Sequence, residues 1–432
     1  MKKNLFCLII LLHLSVIKAQ NYQPIDTADY LERKAFVKDF KTKNEKHIKF
    51  LKENYSGKTG KELVKIYAEF EAFFTKEIEE KNYTFKSEFE KYIVNIISEL
   101  RKNNPNVSSN LKVLIAKNNN PNAYCLANGT LIINMGLFTI LDNEDQLTSV
   151  ISHELAHKIK EHALKSQLIK IKENENNKNI ISSLKEIKYD KSLKAFDVFK
   201  KQTYAKGVLN KKQEIESDSL GYALFLKTKY KKNEFYNALE NLKKIDSINP
   251  IPLREETYKQ IFIIQNQPFK ESWFNSEDFS KYNYNHYTSK LNKDSISSHP
   301  EINERLAFLK KNFKELNEVI SPIEAQLDFK KLKKIAEMEF LPNLYYEEKH
   351  GLGIYTCLIN IQENIQKDYN IEWLGRFLEK VYTGRKEYKL NNYLDQIEPK
   401  KQSKSYIKFL DFMWHLKLEE IKSFADKYKK PI

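Results

Sequence analysis

A chain of 432 residues, 41% hydrophobic and 30% charged, carries enough apolar side chain for one or two packed cores and is not a disordered tail. Its formal charge of +15 comes from lysines scattered among Glu, Asn and Ile, without a compact basic cluster interleaved with stacking aromatics. That pattern excludes nucleic acid as a partner class and leaves, at most, a general affinity for anionic surfaces.

Lys2 and Lys3 precede an apolar run from Leu5 to Ile17, followed by Lys18-Ala19-Gln20. A run of about 13 residues is too short to cross a bilayer and fits the apolar core of an export signal. Residues 1–19 are therefore read as a cleavable signal peptide and the mature chain as exported, periplasmic or secreted; an uncleaved anchor is the competing reading. No later stretch approaches the roughly 18 apolar residues of a membrane span. Cys7 leaves with the signal, while Cys125 and Cys357 fall in different predicted regions and are read as unpaired thiols rather than one disulfide.

Residues 20–84 read as an N-terminal helical region in which Leu51, Val64, Tyr67, Phe70, Phe73 and Phe74 form an apolar stripe for core packing. Phe89, Tyr92, Ile93, Ile96, Ile97 and Leu100 mark a further amphipathic helix, ended by Asn103, Asn104 and Pro105. The period then changes. Leu111 to Ala116 reads as a strand, and Ala123–Ala127 and Thr130–Asn134 flank Asn128-Gly129, a strong signal for a tight hairpin.

Next comes Ile151-Ser152-His153-Glu154-Leu155-Ala156-His157, within a helix whose Leu147, Val150, Ile151, Leu155, Ile159 and Ala163 recur at three- and four-residue steps. Asp142 precedes it and Asp145 lies three on, which suits a helix start. Residues four apart share a helix face, so His153 and His157 can offer two imidazoles to one ion. Glu154 lies about 100° round from His153 and can take a proton from water that the ion acidifies. One Zn²⁺ per chain is expected, and it requires a third protein ligand and an open position. His162 is read as continuing this helix, in a supporting or surface role. The charged segment 158–213, with Asn-rich breaks near 174–179, reads equally as a lid over a cleft or as an inert insertion.

Glu214-Ile215-Glu216-Ser217-Asp218 supplies the missing ligand. On a helix Glu214 and Asp218 share a face: Glu214 can complete a His₂Glu set, and Asp218 can accept the free ring N–H of a ligand histidine. Glu216 competes as third ligand but lies off that face. Gly221 would let this helix pass close to the first. Beyond about Val319 the pattern stays helical through Leu332, Ile335 and Phe340, then Tyr355, Leu358 and Ile361, then Leu374, Phe377, Leu378 and Val381. No 34-residue self-similarity is evident.

Taken together these blocks resemble the HtpX-like and CAAX prenyl protease-like zinc metallopeptidases, with the soluble periplasmic BepA-like and Oma-like branch as the nearer match. The resemblance covers roughly Phe85 to Asn312. It rests on His153-Glu154-Leu155-Ala156-His157, on Glu214 with Asp218 and Leu220-Gly221, on Asn122-Ala123-Tyr124, Asn128-Gly129 and Asn134-Met135-Gly136-Leu137, and on His299-Pro300 followed by Arg305. Ser217 stands where the family usually has Ala, and Ala127-Asn128 where a Pro-Gly or Gly-Gly turn is more usual.

The resemblance implies a mostly α fold with a small β-sheet (α+β): a zincin-type peptidase core at 85–318 between the helical region 20–84 and a C-terminal helical region at 319–432. It implies Zn²⁺ on His153, His157 and Glu214, Glu154 as catalytic base, Asp218 orienting a ligand, and Asn122, Ala123 and Tyr124 as a substrate-binding strand. His299 would sit near the metal as an oxyanion donor or as a plug, unless it only caps the helix after it, with Arg305 pairing to Glu301. The expected partners are protein or peptide substrates of the cell envelope, with outer-membrane assembly partners recruited by the C-terminal region. The alternative is an envelope chaperone or scaffold with a latent or structural zinc site.

Overall fold

Alternation along two short strands fixes what each face of the sheet touches. Val113, Ile115, Leu131 and Ile133 point one way, into a core with Phe89, Ile93, Ile96, Ile97 and Leu100 of helix α3 (Glu88–Lys102). Leu114, Ala116 and Ile132 point the other way, onto Phe40, Phe74 and Ile78. Those three come from a helical hairpin, α1 (Tyr30–Asn54) and α2 (Gly57–Glu79). The N-terminal region is thus one of the two layers that enclose the sheet, and the strand Thr130–Asn134 is buried along its whole length. Each fully buried Leu, Ile or Phe contributes about 1.5–3 kcal/mol by leaving water. The stripe expected on α2 holds at Phe70 and Phe74, but Phe73 is exposed, since it lies 100° from its neighbour on the helix.

The structure is a computed structural model that describes residues 22–185, 209–247, 251–264, 269–274, 302–317, 323–398 and 402–429. The expected signal peptide, His299 and residues 186–208 lie outside the described residues. Among those described, the protein is mostly helical with one four-stranded mixed sheet, an α+β fold. The sheet order is β1 (Tyr83–Thr84), β2 (Lys112–Ala116), β4 (Thr130–Asn134), β3 (Ala123–Cys125). β2 runs parallel to β4, while β1 and β3 are antiparallel to their neighbours and form the two edges. A two-residue strand such as β1 leaves no periodic trace in sequence.

The β3–β4 hairpin forms, with a longer loop than the Asn128-Gly129 pair implied. The N–H of Gly129 bonds to the carbonyl of Leu126 and that of Leu126 to Thr130, so Ala127 and Asn128 are the central turn residues. Only Gly129 takes positive φ, at 87°, which Gly adopts without steric cost.

The chain divides into two compact units, one of residues 25–248 and 285–337, the other of 1–24, 249–284 and 338–432. The first holds the sheet. The second is helical, built on Leu358, Trp373, Leu374, Phe377, Phe409, Phe412 and Phe424. No helix of the described residues is long and apolar enough to cross a membrane. Cys125 and Cys357 are both free, and burial pushes the Cys125 thiol up to about 12, so neither disulfide nor ready thiolate is present there.

Within the second unit His350 is 2% exposed, its ring packed on Tyr345, Phe377 and Tyr393, and its Nδ1 has no hydrogen-bond partner. Burial, and secondarily Lys380, lowers its pKa to about 4. In the unfolded chain this His titrates near about 6.5, so between the two values the unfolded state binds more protons. Stability is therefore intact above about 6.5 and falls as pH drops towards 4, by at most about 3 kcal/mol. His350→Phe is expected to flatten this acid limb, which pH-dependent denaturant unfolding measures.

Candidate metal centre

Helix α5 (Glu144–Ile159) is anchored by Leu147, Ile151 and Leu155, which reach the core beneath the sheet. Its cap is Asn143 rather than Asp142. Asn143 is the residue with extended backbone, and its side chain accepts the N–H of Gln146 at 2.9 Å. Asp142 instead accepts the side-chain amide of Asn241 at 2.6 Å.

One turn separates His153 and His157, and their Nε2 atoms lie 3.0 Å apart. The helix at 209–225 brings Glu214 to both: Oε2 is 3.5 Å from Nε2 of His153, and Oε1 is 3.4 Å from Nε2 of His157. A tetrahedral zinc site with bonds of about 2.0–2.1 Å has donor–donor edges of about 3.3 Å, which the separations of 3.0–3.5 Å here match. Two imidazoles and a carboxylate of this spacing fit a zinc ion, and together they form a group able to hold a metal.

Gly221 is the reason the two helices approach so closely. A Cβ there would sit 2.9 Å from Cα of His153 and 3.0 Å from its N, both backbone atoms. Helix propensity alone would make Gly221→Ala stabilising by about 1 kcal/mol. The clash reverses the sign, and the variant is expected to lose about 1–3 kcal/mol and to bind Zn²⁺ more weakly. Thermal unfolding and a competitive zinc titration test this; a more stable variant with parental affinity would contradict the packing argument.

Asp218 is fully buried and takes the Nδ1 of His153 at 2.9 Å, which leaves Nε2 directed at Glu214. Arg305, from helix α10 (Ile302–Asn312), grips Asp218 with Nε at 2.8 Å and Nη2 at 2.5 Å, and reaches Glu214 Oε2 with Nη1 at 3.0 Å. Burial raises the Asp218 carboxyl, but the guanidinium outweighs it and holds the group below the ordinary range. Burial and Arg305 push His153 down, yet its bonds to Asp218 and Glu214 carry it up to about 9. Burial pushes His157 below its ordinary value.

A family model described as Peptidase family M48 matches residues 88–312, more than half of the chain. The chain belongs to peptidase family M48. No curated protein matches it. M48 comprises the HtpX-like and CAAX prenyl protease-like metallopeptidases, and membership makes this chain a metal-dependent protease. His153, Glu154, His157, Glu214, Asp218 and Arg305 all fall inside the matched residues.

The M48 centre opens on a cleft of about 550 Å³ lined by Glu154 and by Asn122, Ala123 and Tyr124. Asn122 accepts the Asn134 N–H and Leu126 donates to Thr130, so β3 alternation leaves backbone groups of Ala123 and Cys125 on its free edge. The N–H of Ala123 is taken by the Asn122 side chain at 2.9 Å.

Arg305 is engaged by Asp218, 87 positions away, and by Glu214, while Glu301 lies outside the described residues. One expectation changes: α5 stops at Ile159 and His162 opens a new helix, α6 (His162–Lys185), because Glu161 turns the chain with φ of 54°. Glu216 does not join the metal group: its Oε2 lies 3.1 Å from Nε2 of His162. His299 lies outside the described residues.

Proposed function

We propose that this chain is an exported zinc endopeptidase that hydrolyses peptide bonds in proteins of the cell envelope. The convergence of His153, His157 and Glu214 on one point beside a cleft carries the reading. Zinc bound there acidifies water and polarises a carbonyl. Glu154, next to His153 in sequence and on the cleft wall, accepts the water's proton and returns it to the leaving amine. Asp218 and Arg305 hold His153 and Glu214 in place. An extended substrate adds to the free edge of β3 through the carbonyl of Ala123 and the backbone of Cys125. Export rests on the lysine-led apolar run of residues 2–19, and the resemblance of the sequence motifs to the BepA-like and Oma-like branch supports an envelope role in quality control. The helical region at 319–432 is proposed to recruit assembly partners.

Incubation of the purified chain with an unfolded casein-type protein tests the activity. Internal cleavage is expected, lost with chelator and restored by stoichiometric Zn²⁺. Tight binding of one Zn²⁺ without cleavage would instead favour the scaffold with a latent site.

A further inference from the structure

We propose that His162 and Glu216 act as a positioning relay that sets the tautomer of His157, an inference that rests on His157 being a metal ligand. A ligand histidine needs a partner for its other ring nitrogen, because that partner decides which nitrogen keeps its lone pair for the ion. His153 has a carboxylate for this, Asp218. His157 does not. Its Nδ1 lies 3.1 Å from Nδ1 of His162, whose own Nε2 lies 3.1 Å from Oε2 of Glu216.

The order of donors follows from the outer end inwards. A carboxylate only accepts, so the single proton of the His162 ring is on Nε2, donated to Glu216. Nδ1 of His162 is then an acceptor. Nδ1 of His157 must be the donor to it, and Nε2 of His157 is left with its lone pair facing Nε2 of His153 and Oε1 of Glu214. The hydroxyl of Ser217 lies 3.2 Å from the same Nδ1 of His162 and would share that acceptor with His157. The serine that replaces the family's usual alanine thus touches the relay. His162 is buried, and the Gln213 side chain donates to its carbonyl at 3.5 Å.

The backbone builds this contact. In an unbroken helix His162 would stand about 140° round from His157 and about 7.5 Å further along, out of reach of its ring. The left-handed turn at Glu161 ends the helix and swings His162 back. Glu216, two residues after the carboxylate ligand Glu214, meets His162 from the neighbouring helix. One short segment, Glu214 to Asp218, therefore supplies a ligand, the acceptor behind His153 and the carboxylate at the outer end of the His157 relay.

The test uses the full chain loaded with Zn²⁺. Long-range proton–nitrogen correlation of the histidine rings is expected to show His157 protonated on Nδ1 and His162 on Nε2. His162→Leu should weaken Zn²⁺ affinity about 10- to 100-fold. His162→Gln, whose amide can accept from His157 and donate to Glu216, should restore it to within a few-fold of the parent. A purely packing role would rank these variants by apolar volume and place Leu ahead of Gln. Equal zinc affinity for parent and His162→Leu, or His162 protonated on Nδ1, would overturn the relay while leaving the metal site standing. If His157→Ala itself left zinc affinity unchanged, the ligand assignment beneath the relay would be the part that failed. Should His162→Leu not fold, the ring tautomers of the parent and the affinity of His162→Gln still decide the question.

Discussion

Replacing Glu154 with Gln is expected to slow peptide-bond hydrolysis by about 10²- to 10⁴-fold, the usual contribution of a positioned proton acceptor, with one Zn²⁺ per chain retained. The substitution keeps the side chain's shape and removes its ability to take a proton. It also leaves the ion's holders alone, because Glu154 lies outside the His153, His157 and Glu214 group. Metal content and cleavage rate must be measured on the same preparation. A variant that kept its zinc and cut as fast as the parent would refute the proposed role of Glu154. His153→Ala is the contrasting control, since it should lose the metal and the activity together.

The second large effect is expected at Arg305. Its guanidinium is bidentate on Asp218, which is fully buried, and also touches Glu214. Arg305→Met keeps the length of the stem and removes the charge. Breaking a buried pair from one side leaves the other charge uncompensated, at a cost of about 3–5 kcal/mol. The sign of its pH dependence is also defined. Arg305 holds the Asp218 carboxyl below its ordinary value, so its stabilisation is present above the unfolded pKa and is lost as pH falls through the lower folded one. Without Arg305, burial acts on Asp218 with less opposition and that benefit shrinks. Zinc should narrow the deficit, since a divalent ion beside Glu214 and His153 replaces part of the missing positive charge. Unfolding of the metal-free and zinc-loaded forms, parent against variant, measures both; an equal loss in the two forms would mean that Arg305 stabilises the fold without reference to the metal site.

How much of this was legible beforehand differs from residue to residue. His153 and His157 could be paired from spacing alone, because a helix repeats its faces every three to four residues whatever surrounds it. The strands β2 and β4 were legible for a like reason, as alternation with period two marks two covered faces. The cap at Asn143 was missed by one residue, since Asn and Asp are both good caps and only the backbone conformation chooses between neighbours. The break before His162 was missed because nothing in Lys160-Glu161 resembles a helix stop; a non-glycine residue took the left-handed turn.

The chain's own order of residues determined the local chemistry: which side chains share a face, where an amphipathic helix gives way to strands, and that two imidazoles and a carboxylate were to hand. Periodicity is a property of a single segment, so it can be read without neighbours. Only the tertiary structure decided which carboxylate of Glu214 and Glu216 meets the imidazoles, where Arg305 directs its charge, and what covers the second face of the sheet. Those outcomes depend on how closely helices far apart in the chain can pack, a distance set here by the missing side chain of Gly221, and no pattern within one segment encodes it.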